Sequence, residues 1–160
     1  MSGLRSTQRP GGQALVEFAL VFPLILLLIF GAVDFGRAIF AYNTLSEAAR
    51  QANRLAIVDQ TVTDVQARAT QAAPGVTFNL PNDVQVCFKA ADSADKDCDP
   101  PNSDACSNLE IGCLAFVTAK TQFRPLTPVI STLVGTLDLS STSVGPIEYV
   151  CPTAAHPNCP

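Results

Sequence analysis

Glu17 is the first residue whose chemistry asks for an explanation. It stands five residues after Gly12, and residues 18–33 beyond it carry no charged side chain. A carboxylate beside hydrocarbon is costly, so a sequence that keeps one there has a use for it. Either Glu17 reaches the lipid headgroups as a terminal acid, or it meets a positive group in a low dielectric, where the attraction is strong. The second chemically distinctive set is six cysteines, Cys87, Cys98, Cys106, Cys113, Cys151 and Cys159, all in the second half of the chain. An even count in a small domain behind an apolar N-terminal segment points to disulfides in an oxidising compartment. Spacing alone leaves the connectivity open. The pairing expected here is nested, Cys87 with Cys113 and Cys98 with Cys106, while Cys151 and Cys159 clip the tail.

Other candidate chemistries are weaker. Between Cys87 and Cys113, Asp95, Asp97 and Asp99 alternate as the first ligands of a calcium loop would. Pro100 follows where such a loop needs its glycine turn, and Cys106 takes the place of the closing glutamate. The segment reads as a solvated acidic loop pinned by disulfides. Zinc fails on spacing, since no two cysteines stand about two to four residues apart and His156 is the single histidine. No nucleophile elbow, phosphate-cradling glycine loop or paired catalytic carboxylate is present. The expectation is a protein that is not an enzyme and uses no metal, cofactor or small-molecule substrate.

These residues depend on two kinds of element. Residues 14–33 are twenty predominantly apolar positions, about 30 Å of helix, which matches a bilayer core. A secretory signal has a shorter apolar region of about 7 to 15 residues ending at a small-x-small site, which this segment does not reproduce. Beyond Asp34 and Arg37, Ala41, Leu45, Ala48, Ala49, Ala52, Leu55 and Ala56 recur at three and four. Asn43, Glu47, Arg50 and Arg54 line the other side. This is an amphipathic continuation of the same helix. Unbroken over residues 14–57, the rod would be about 66 Å long. Pro23 removes one helical hydrogen bond and predicts a kink. Ala32 and Gly36 fall four apart, either as a close-approach face for another helix or as two small residues in an alanine-rich stretch.

Farther on, Thr63 and Gln66 have capping-box spacing and Asp64 and Arg68 are four apart. Pro74 and Gly75 then close a short helix over residues 63–73. Runs rich in Val, Phe and Thr at 76–80, 84–90 and 113–123 read as strands, 126–135 as a short helix and 140–150 as a last strand. Strands that follow a long helix without alternation give an α+β head with an antiparallel sheet. The domain organisation expected is a leader over residues 1–12, a transmembrane and amphipathic helix over 13–57 and an extracytoplasmic head over 58–160.

The 160 residues are 48% hydrophobic and 15% charged, with a mean hydropathy of +0.25, and the apolar excess lies before residue 58. Net charge is −4, and the ten basic residues are scattered. That pattern gives a phosphate backbone little to hold, so nucleic acid is not expected as a partner. Arg5 and Arg9 precede the apolar run while Arg37 and Arg50 follow it. Basic residues therefore lean toward a cytoplasmic N-terminus without deciding it. The cysteines place the head outside the cytoplasm.

The basic leader, Gly12, four residues, Glu17 and a long apolar helix resemble the processing site of type IV prepilins and pseudopilins. More narrowly, Gly12, Glu17 with Phe18, Pro23, the Asp34-Phe35-Gly36-Arg37 element and the Ala- and Arg-rich stretch through Arg50 and Arg54 resemble the TadE-like family of the tight adherence pilus system. Phe18 stands where a tyrosine is common in such pilins, and Gln13 replaces the aromatic or methionine frequent at other new termini. The resemblance implies cleavage by a prepilin peptidase between Gly12 and Gln13. Glu17 would then set subunit registry by pairing with a new amine. It also implies partners among other pilins and pseudopilins, the assembly platform and membrane lipid. Two readings of other classes stand beside it: a membrane-anchored binding or adhesion module outside any filament, and a secreted soluble protein.

Overall fold

The computed structural model describes residues 11–91, 98, 106 and 111–148. Helix α1 covers Gly11–Ala56, 46 residues, and runs through Pro23 without a break in the helix. Membrane-type helices tolerate such a proline where the freed carbonyl has other partners. Helix α2 is Val62–Ala72, one residue earlier than the spacing suggested. Its expected capping box is not formed. The N-cap is Thr61 and makes no side-chain cap bond, its amide donates to Asp59 Oδ1 instead, and Gln66 spends its side chain on the Val84 carbonyl at 2.9 Å. Arg68, expected to pair with Asp64, reaches back to Gln51 Oε1 on α1.

Three strands form one antiparallel sheet in the order β1 (Val84–Lys89), β2 (Leu114–Phe123), β3 (Leu137–Pro146), with a short helix α3 (Pro128–Val134) in the β2–β3 connection. The register places Cys87 opposite Phe116 and Val117 opposite Ser143. The strand expected at 76–80 is absent. That segment ends in a local turn in which Asn79 O accepts from the Asn82 and Asp83 amides and Asp83 Oδ2 accepts from Asn79 N. Phe78 packs against the core from this loop.

The second half of α1 belongs to the head. Leu45, Ala48, Ala49, Ala52 and Ala56 are fully buried. Leu45, Ala49, Ala52 and Ala56 pack with Val65 and Ala69 of α2 and with the inward face of the sheet, Val84, Val86, Phe88, Ala115, Val117 and Ala119. Alanine on the helix lets the strands approach closely, and β3 answers with equally small residues, Ser141, Ser143 and Gly145. Asn53 closes this joint. With its amide nitrogen donating to Ala115 O and its oxygen accepting from Gly145 N, each at 3.0 Å, it ties α1 to two strands from a site 6% exposed. Buried amides need such partners, and here both ends are met.

The disulfides differ from the nested expectation. Cys87 bonds Cys98 and Cys106 bonds Cys113. The pleat explains why. Side chains alternate along a strand, and Val86 and Phe88 face α1, so Cys87 faces away and packs with Cys98 and Phe116. Cys113 has the parity of Ala115 and Val117 and joins the helix-side core. Cys87 and Cys113 therefore lie on opposite faces of the sheet. Cys151 and Cys159, with the acidic-loop residues Asp95, Asp97 and Asp99 and the tail His156, fall outside the described residues.

Candidate functional site

The residues singled out at the N-terminus all sit at the start of α1. Gly12, Gln13 and Glu17 are exposed, and so is nearly every position through Val33, with only Leu26 and Gly31 half-buried. Leu20 at 71% and Leu28 at 73% exposed are typical of this surface. The Phe18 and Phe22 rings stack at 5.2 Å on the helix exterior. An apolar surface of this length without cover among the described residues marks a contact with lipid or with another protein. By length and composition, α1 is a helix able to cross a membrane, compatible with a single-pass anchor.

Among the described residues nothing approaches Gly12 or Gly36: a Cβ built on either would meet no atom within 4 Å. Ala32 is exposed as well, so the Ala32 and Gly36 pair is open along the helix surface. Gly31 differs. Ile130 Cδ1 from α3 lies 3.6 Å from the Cβ position, an ordinary van der Waals contact that any longer side chain would displace.

Asp34 is where the exposed and the packed halves of α1 meet. It is 5% exposed, and its two carboxylate oxygens accept the backbone amides of Leu126 and Thr127 at 3.0 and 2.9 Å. Arg37 adds an ion pair to Oδ1 at 3.3 Å and places its guanidinium 5.6 Å from the Phe123 ring centroid. A carboxylate taking two backbone amides and a guanidinium makes charge-assisted hydrogen bonds, the stronger kind. The Asp-Phe-Gly-Arg element therefore fastens the connection between β2 and β3 to the long helix, while Phe35 at 68% exposed points away from the head. Sequence reasoning singled out Asp34 and Arg37 without finding this role. Their partners lie some ninety residues along the chain, and the one local sign was an acid three residues before an arginine at the end of the apolar run. Asn53 was missed outright, because it falls inside an alanine-rich helical face.

On the head, a depression of about 670 Å³ is lined by Asn79, Asp83, Lys120, Gln122, Asp138 and Ser140 among others. It mixes one cation with two acids. Among the described residues no three His, Cys, Asp or Glu side chains converge as metal ligands.

Comparison with curated proteins and with solved structures finds no match to the chain. Comparison with protein families does: residues 12–54, which begin at Gly12, include Glu17 and the Asp34 clamp and end at Arg54, between the buried Ala52 and Ala56 of α1, match the family described as TadE-like protein.

Proposed function

We propose that the chain is a TadE-like pseudopilin or minor pilin, a structural component of tight adherence pilus assembly that performs no catalysis. In this reading the first half of α1 is anchored in the cytoplasmic membrane with the N-terminus inside and the disulfide-bonded head outside. Prepilin peptidase cuts between Gly12 and Gln13, and the new amine pairs with Glu17 of a neighbouring subunit to fix the axial stagger. Other pilins and the assembly platform are its partners.

The observation that carries the reading is the coincidence of the family match with the division of α1. The match begins at Gly12, and from there the helix is exposed through Val33 and then built into a folded head. Among the described residues nothing lies within 4 Å of a Cβ built at Gly12, which leaves that position open to an outside partner such as a peptidase. The open Ala32 and Gly36 pair suits close approach of a second helix.

Intact mass of the protein isolated from its native membrane tests this. A chain beginning at Gln13 is expected, with Gly12→Trp retaining the leader and Glu17→Gln still cleaved but failing to co-assemble with the other pilins. Recovery of the chain with all of its first twelve residues, together with normal behaviour of Glu17→Gln, would overturn it.

A further inference from the structure

Residues 126–137, which join β2 to β3 through α3, contain no charged side chain. Their large apolar members are turned outward, Leu133 at 82%, Leu126 at 76% and Val129 at 54% exposed, and α3 buries no residue at all. A short segment that shows this much hydrocarbon is an interaction surface. What it meets follows from where α1 holds it. The amides just before α3 are fastened to Asp34, the first charged residue after the apolar run, and Ile130 rests on Gly31, which lies inside that run. From Leu126 to Ile130 the connection thus passes along α1 toward its apolar half, a shift of about 5 Å at the helical rise. On the head side stand two cations, Arg37 beside Phe123 and the exposed Arg124. The exposed Asp138 ends the uncharged segment. Apolar side chains at one level with guanidinium groups above them fit the boundary between acyl chains and phosphate headgroups.

We propose that the connection around α3 is a second membrane contact, seated in the headgroup and acyl boundary of the leaflet that faces the head and lying against the anchor helix. This rests on the reading that the first half of α1 lies in a bilayer. Lipid is the occupant because the exposed face of α3 is continuous with the uncovered surface of α1 and is held at the depth where that surface begins. Two points of contact fix the height of the head and stop it from turning about α1.

The chain contains no tryptophan, so a single introduced indole reports its own surroundings. Full-length Leu133→Trp, and independently Val129→Trp, are reconstituted into phosphatidylcholine and phosphatidylglycerol vesicles carrying brominated acyl chains. Phe30→Trp serves as the anchor control and Val144→Trp as the head control. Both α3 indoles are expected to lose most of their emission to the bromines, as Phe30→Trp does, while Val144→Trp keeps its emission and is quenched by iodide in the buffer. Iodide quenching of the α3 indoles with Phe30→Trp quenched by bromine would refute the proposal and leave the anchor intact. Shielding of the α3 indoles from both quenchers would refute it too, showing a protein surface in lipid's place. If Phe30→Trp itself escapes the bromines, the anchor reading fails and this proposal fails with it.

Discussion

Two side chains on α1, Asp34 and Asn53, hold the strands and their connection to the helix, and each makes a prediction. Asp34 supplies both oxygens to the Leu126 and Thr127 amides. Replacing it with alanine leaves those donors without a partner while removing little volume. Exchange at the two amides in detergent micelles should accelerate by about tenfold or more, with β2 amides such as Val117 unchanged, because local opening is not global unfolding. Equal acceleration at Val117 would show instead that Asp34 supports the head as a unit. Gly145 tests the other joint. A Cβ there would stand 2.8 Å from the end of the Asn53 side-chain amide and 3.1 Å from Ile57 Cγ2, so either the amide gives up its two strand contacts or β3 moves off the helix. Gly145→Ala should cost about 1–3 kcal/mol in denaturant unfolding, the usual range for overpacking a filled joint. A loss below about 0.5 kcal/mol, the level of a neutral surface change, would mean that helix and strand are packed loosely.

The helices and the sheet were legible to different depths. The two-part character of α1 could be read from its pattern, since an all-apolar stretch and a stretch with alanine and leucine at three and four ask for different surroundings. The strands at 84–89 and 114–123 were legible from their Val, Phe and Thr content. The run at 76–80 has similar composition, but the Val84 carbonyl of the edge strand β1 is taken by Gln66 of α2. That is a tertiary fact with no local trace. The disulfides were more legible than the nested pairing allowed. Once Val86 and Phe88 are assigned to the core, alternation sends Cys87 to the far face and excludes Cys113 as its partner. Non-reducing peptide mapping should therefore recover Cys87 linked to Cys98 and Cys106 linked to Cys113, and a peptide joining Cys87 to Cys113 would contradict the sheet register itself. In the loop-closure description each bond contributes about 2–3 kcal/mol. Cys87→Ser with Cys98→Ser should lower stability by that order.

The chain has no clean boundary between the long helix and the head, and this decides how it can be divided. Cutting after the helix, so that a fragment begins at residue 58, removes Leu45, Ala48, Ala49, Ala52 and Ala56, all fully buried, and with them the Asn53 tie to β2 and β3. The sheet would then show the faces of Val84, Val86, Phe88, Ala115 and Val117 to water. At about 25 cal/mol per Å² of apolar surface, roughly 200–600 Å² uncovered there would equal all that a small domain holds in reserve, typically about 5–15 kcal/mol in total. A fragment beginning at residue 38 keeps every buried helical residue from Leu45 onward and loses the Asp34 clamp, the Arg37 contact with Phe123 and the Gly31 seat of Ile130. The expected outcome is that the longer fragment, exported to an oxidising compartment, is soluble and monomeric and unfolds cooperatively, whereas the shorter one aggregates or lacks fixed tertiary structure by near-ultraviolet circular dichroism. A folded, cooperative fragment from residue 58 would mean that helix and sheet are separate bodies. If the longer fragment behaves as expected, the head moves rigidly with the rod, and any force or stagger imposed on the exposed half of α1 is passed to the disulfide-bonded face without a hinge.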